Sequence, residues 1–189
     1  MTTDQRGEPV RRDSVSEEFA AWMDQMPGVD PQIEAARQRI RRIARLFGRV
    51  LTHAAARHEM TVGDWESLSV LQRSGPPYEC SPKELAERLG VTSGTMSVRI
   101  ERLTRAGLVE PGTARTDGRS RPIRLTSQGS ELWRAATEQR TTYEHHLLAD
   151  TLSADELQQL NVLLGKLLTR FEEEFGSAPT HGSLRREAE

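Results

Sequence analysis

Apolar side chains recur along most of this chain at three- and four-residue spacing, the period of a helix that is wet on one side. Residues 14–26 place Phe19, Trp22, Met23 and Met26 on one face before Pro27, Gly28 and Pro31 interrupt. Asp30 followed by Pro31 reads as a cap and first position of a new helix. Its stripe of Ile33, Ala36, Ile40, Ile43, Phe47, Val50 and Ala54 runs to about Arg57. Thr61 to Asp64 and Ser81 to Glu84 have the spacing of capping boxes, in which side chain and backbone satisfy each other across three residues. They predict helices over 64–74 and 81–89, the first ended by Gly75-Pro76-Pro77 and the second by Gly90. Thr92 opens another, with Met96, Ile100 and Leu103 inward and Gly107 as its stop. The period then turns extended. Leu108-Val109 and Ile123 to Thr126 read as two short strands joined by an Arg-rich tip with the turn signal Asp117-Gly118. Pro111 and Pro122 suggest edge pairing only, hence a small free arm. Thr126 caps a long helix carrying Leu132, Trp133, Ala136, Tyr143 and Leu147, and Ser153 to Glu156 boxes a last one carrying Leu157, Leu160, Leu164, Leu167, Leu168, Phe171 and Phe175.

The expectation is therefore a mainly α chain with a β-hairpin wing: a winged helix-turn-helix plus a helical dimerisation region. Its segments are a disordered tail over 1–13, N-terminal helices over 14–60, the winged unit over 61–127, C-terminal dimerisation helices over 128–175 and a flexible tail over 176–189.

Composition narrows the classes. Of 189 residues, 35% are apolar and only 5% aromatic, so a core is possible but small, and a second copy is expected to complete it. No stretch approaches the roughly 20 apolar residues of a membrane span, and the first residues lack a secretory apolar core. One cysteine, Cys80, leaves no intrachain disulfide and no multi-cysteine zinc site. Together these predict a soluble, cytoplasmic protein. Net charge is −2, yet residues 33–57 hold seven basic groups against one acid, and 83–126 hold nine against five. Local basic blocks in an otherwise acidic chain suit an anionic partner.

The helix from Thr92 supplies the candidate interface. At about 100° per residue, Met96, Ile100 and Leu103 share one stripe, while Gly94, Thr95, Val98, Arg102 and Arg105 fall opposite, with Ser93 and Ser97 at the margin. A face this small, polar and basic fits a major groove, where side chains reach base edges and phosphates. The arginines of the arm, Arg115, Arg119, Arg121 and Arg124, suit a minor groove of focused negative potential. The nucleic-acid set is thus Ser93, Thr95, Ser97, Val98, Arg99, Arg102, Arg105, Arg115, Arg119 and Arg121.

The run LSVLQRSGPPYECSPKELAERLGVTSGTMSVRIERLTRAGLVE, with TDGRSRPIRLTSQG beyond it, resembles the MarR family of bacterial transcriptional regulators. The resemblance covers about residues 33–175. It implies a homodimer with interlocked terminal helices, one winged helix per subunit, a pseudo-palindromic duplex operator and a small-molecule effector. At the wing the family pattern is Asp-Arg-Arg. Here Asp117 and Arg119 match, Arg119 being the implied minor-groove residue, with Gly118 between them, and Pro111 replaces a usual Arg. The extra N-terminal helix with Trp22 resembles the urate-responsive subgroup. That resemblance implies an anionic aromatic ligand held by Trp22, Glu66 and Arg99, Glu66 standing where the subgroup has Asp. Relief of operator binding by such a ligand, in a repressor, is the implied function.

Enzyme chemistry finds no support. Cys80 has no neighbouring His and reads as a small buried side chain. His53 and His58 are five apart and His145 and His146 adjacent, neither being the i,i+4 pair of a metal helix. No phosphate loop or nucleophile elbow occurs, so no cofactor is expected. The competing readings are a helical assembly protein without DNA, and a regulator of the same type that senses metal or redox state.

Overall fold

The computed structural model describes residues 12–26, 28–113 and 121–177. Seven helices and three short strands follow in the order α1 (Ser14–Gln25), α2 (Pro31–Arg57), α3 (Val62–Arg73), β1 (Glu79–Cys80), α4 (Pro82–Leu89), α5 (Ser93–Arg105), β2 (Val109–Pro111), β3 (Ile123–Leu125), α6 (Ser127–Ala149) and α7 (Ala154–Phe175). Residues 1–11 and 178–189 of the expected tails and the tip Arg115 to Arg119 lie outside the described residues, while Asp13 caps α1 and Gly176 follows α7.

Local chemistry sets the helix boundaries. Thr61, Ser81 and Ser153 each accept the backbone N–H three residues on, and Asp64, Glu84 and Glu156 return the bond to the cap's own N–H. Asp30 accepts from Gln32 and Ile33 at 2.8 and 3.1 Å. Gly90, at φ +60°, ends α4 in the left-handed conformation that a side chain disfavours.

The chain divides into two compact units between Arg49 and Val50, inside α2. In the first, acidic residues of α1 and its cap meet the arginines of α2. Arg39 donates to Asp13 at 2.8 Å and Arg42 to Glu18 at 2.5 Å. Asp13 also caps α1 by accepting from Ser16 at 2.7 Å. The Arg39 guanidinium, with this cap bond, holds the Asp13 carboxyl down at about 2. Arg37 grips Glu34 through two bonds of 2.8 and 2.6 Å. These pairs occupy Arg37, Arg39 and Arg42, three of the seven basic groups of residues 33–57.

In the second unit α3 is the central bar. Leu68 and Leu71 are fully buried, with Leu85, Leu89, Met96, Leu103, Val109 and Leu125 around them. Cys80 is buried in the same core. The sheet has the order β1-β3-β2, both pairs antiparallel, with Glu79 opposite Arg124 and Glu110 opposite the same residue. This corrects the expected free two-stranded arm. β1, too short to show any periodicity, makes β3 a central strand, and Pro122 sits just before it, where its missing N–H costs no ladder bond. Gly129 lets the start of α6 press on the Leu108 carbonyl, which a Cβ there would strike.

Along α6 three residues bond to α3 in strict antiparallel register. Trp65 Nε1 donates to Thr137 at 3.0 Å, Trp133 Nε1 to Ser69 at 2.7 Å, and Ser130 to the Gln72 carbonyl oxygen at 2.9 Å. α7 has no buried residue among those described, and Leu164, Leu167, Leu168, Phe171 and Phe175 are exposed, as are Ile33, Ile40, Ile43 and Phe47 of α2. No described helix is long and apolar enough to cross a membrane.

Candidate nucleic-acid interface

α4 and α5 are joined only by Gly90, Val91 and the cap Thr92, so the two helices pack tightly against α3. Burial of Met96 and Leu103 fixes the rotation of α5, with Ile100 packed against the same core. The opposite face is left to solvent. Ser93, Gly94, Thr95, Ser97, Val98, Arg102 and Arg105 are all exposed, Val98 at 65%. A Cβ added at Gly94 would meet nothing, so this end of the helix is open to approach. Ser97 turns its hydroxyl back to the Ser93 carbonyl at 2.9 Å, and Thr92 and Thr95 share a hydroxyl bond of 2.9 Å at the N-terminus. The result is a low, polar ridge flanked by cations.

The arginines divide. Arg105 lies at the surface in an i,i+4 pair with Glu101 at 2.6 Å, a contact worth only about 0.3–0.5 kcal/mol and readily exchanged for a phosphate. Arg102 turns back to α3, where it meets the Asp64 carboxylate and Thr61 Oγ1 while keeping 47% of its side chain exposed. Asp64 is itself buried and closes the capping box, so Arg102 rests on the N-terminus of α3. Arg99 departs from the nucleic-acid set. It is 9% exposed, donates to Ser67 at 3.3 Å and lies flat on Gly63, where any side chain would collide with its guanidinium. Its place on the flank of α5 points it inward, so it is not part of the outward ridge. Ser67 and Gly63 carry no periodic signal of their own, and sequence reading missed them.

At the arm, Arg121 is exposed and anchored by Nε on the Gly112 carbonyl at 3.3 Å. Arg115 and Arg119 lie outside the described residues. Arg124 does not project, contrary to expectation. It is a β3 residue held between Glu110 at 3.0 Å and Glu79 at 3.7 Å across the sheet.

Of the three residues implied for a ligand, Glu66 and Arg99 belong to the second unit and Trp22 to the first. Glu66 is half-buried. Arg37 first, then Gln38 and last the Trp22 side chain, hold the buried carboxyl of Glu34 at about 2. No group of three or more metal-binding side chains occurs among the described residues.

Residues 58–120 match the MarR family model. Within the described residues the match takes in α3, β1, α4, α5 and β2. The chain is 27% identical over 153 residues to the HTH-type transcriptional regulator PecS of Dickeya dadantii, covering 81% of this chain and 92% of PecS. YusO from Bacillus subtilis shares the fold with a TM-score of 0.64 at 18% identity, over 75% of this chain and 98% of YusO. A MepR variant from S. aureus, solved bound to an oligodeoxyribonucleotide, does so with a TM-score of 0.58 at 23% identity, over 72% and 97%. Of these, PecS is a transcriptional regulator.

Proposed function

We propose that this protein is a dimeric, sequence-specific DNA-binding transcriptional regulator, a repressor whose operator binding a small anionic aromatic ligand relieves. The exposed ridge of α5 carries the reading. Thr95 and Val98 face outward, and Gly94 lets backbone approach backbone. Ser93, Thr95, Ser97, Val98, Arg102 and Arg105 enter the major groove, while Arg121, with Arg115 and Arg119, follows the flanking groove. Two-fold symmetry then sets the ridges about 34–36 Å apart on a pseudo-palindromic site.

The exposed apolar stripes of α2 and α7 support a second copy as their cover. A helical assembly protein would need those stripes but not the polar ridge. Salt titration of binding to a selected duplex separates the two. With about 6–10 phosphate contacts, affinity falls roughly 10³–10⁵-fold between 50 and 200 mM salt. Val98→Asp, at a position with no packing role, is expected to weaken binding at least tenfold with an unchanged melting temperature. Absence of duplex binding at low salt, or full affinity in Val98→Asp, overturns the reading.

A further inference from the structure

The root of the wing contains an acid that neither the core nor the ridge explains. Glu79, on β1, keeps only 13% of its side chain exposed. Its Oε1 accepts both the N–H and the Oγ1 hydroxyl of Thr113, each at 3.1 Å. The residue before Thr113 is Gly112, and a Cβ there would come within 2.8 Å of the Glu79 carboxyl carbon. The absence of a side chain at Gly112 is what admits the carboxylate. Gly112 in turn donates to Pro122 at 2.7 Å and accepts from Arg121 Nε at 3.3 Å. The chain of contacts therefore runs from Glu79 through Thr113 and Gly112 to Arg121, and it uses only the Nε of that guanidinium. Among the described residues both terminal amino groups of Arg121 are without a partner and remain for an anion. On the other side Arg124 sits against Glu79 at 3.7 Å and offsets its charge.

We infer that Glu79 is a positioning residue for DNA contact: it latches the root of the wing so that Arg121 presents its terminal amino groups to a backbone phosphate. This rests on the DNA-binding reading above. An acid beside a DNA-contacting arm would otherwise only repel the duplex, so the latch and simple repulsion predict opposite signs for its removal.

The experiment is a double-mutant cycle on the full-length protein with the selected duplex, read as dissociation constant and salt slope. Wild type and Arg121→Ala come first. Loss of one phosphate contact is expected to lower the slope by about one per protomer. Glu79→Ala should then weaken binding as Arg121→Ala does, with the same fall in slope, and should cost nothing further in the Arg121→Ala background. Glu79→Gln keeps an acceptor for Thr113 and should retain wild-type slope. Hydrogen exchange at the Thr113 amide should quicken in Glu79→Ala and stay slow in Glu79→Gln. A wild-type protein that binds no duplex defeats the DNA reading itself, and with it the assignment. A wild-type protein that binds, with Glu79→Ala binding as tightly or tighter, or with additive losses in the cycle, overturns the latch alone. So does an unchanged Thr113 exchange rate.

Discussion

Arg99 and Arg102 stand three residues apart on α5, and α3 receives both. Arg99 is buried on Gly63 and Ser67, while Arg102 is half in water on Asp64. A guanidinium is a planar, multiply donating partner for a carboxylate or other flat anion. In the proposed effector response, Arg99→Ala abolishes release from DNA by an aromatic acid or purine that shifts the melting temperature of wild type. An effector must bind the free and DNA-bound forms with different affinity, and by as much as it shifts the DNA equilibrium. Unchanged release in Arg99→Ala would remove this residue from the sensor. Trp22 serves Glu34 within the first unit, so Trp22→Ala is expected to loosen α1.

Asp13 gives the pH dependence at this scale. Its folded carboxyl lies near 2, below the ordinary 3.8, because Arg39 and the Ser16 amide favour the charged form. A depressed acid contributes stability that is present in full above its unfolded pKa and is lost as pH falls through the folded value. Protection of the α1 amides is therefore expected to decline between about pH 4 and 2, beyond the intrinsic change in exchange rate. Asp13→Asn keeps the cap acceptor but not the Arg39 ion pair. Its α1 exchange should be faster near neutral pH and flat across the same window. A wild-type profile in Asp13→Asn would show that the ion pair contributes nothing.

Among the elements, the α3–α6 seam is the most specified. Trp65, Ser69 and Gln72 lie at helical spacing on one face of α3, and Thr137, Trp133 and Ser130 answer them in reverse order. A shift of one turn along α6 would break all three bonds and bury their groups unpaired. Removing one partner of such a bond costs about 1–3 kcal/mol, more than the bond's net worth, because the other is left without water. Ser69→Ala and Trp133→Phe are each expected to lower stability by an amount in that range. The double variant should lose less than the sum, since the orphaned group is gone. Denaturant melts of the four proteins check this, and strict additivity would mean that the bond contributes nothing specific. The capping boxes and apolar stripes of these helices were legible in the sequence because they are local. The seam was not: serine, threonine and glutamine on a helix face look like solvent-facing residues until the partner helix is known.

At the scale of the whole molecule, apolar side chains of α2 and α7 lie in water in a single copy. Fully burying a leucine or phenylalanine is worth roughly 1.5–3 kcal/mol. Stripes of this extent on a chain with so few aromatics are expected to be closed by a second copy. Leu168→Glu, at an exposed position outside the buried core, should give a folded monomer by sedimentation with operator affinity reduced at least a hundredfold. A Leu168→Glu protein that remains dimeric and binds normally would remove α7 from the interface.

The sequence by itself determined the helices, their caps, the inward stripe of α5 and hence its outward ridge. Each of these follows from periodicity and from side chain to backbone bonds within four residues. Only the tertiary structure decided the fates of the arginines. Arg99 turned into α3, Arg102 settled on a capping box, Arg124 was clasped between two strands, and Arg121 kept its terminal amino groups outward. A long cation on a helix flank or short strand has no local preference strong enough to fix its direction. Buried acids and hydroxyls brought close by the fold, such as Asp64, Ser67 and Glu79, set that direction from sequence distances that no local pattern spans.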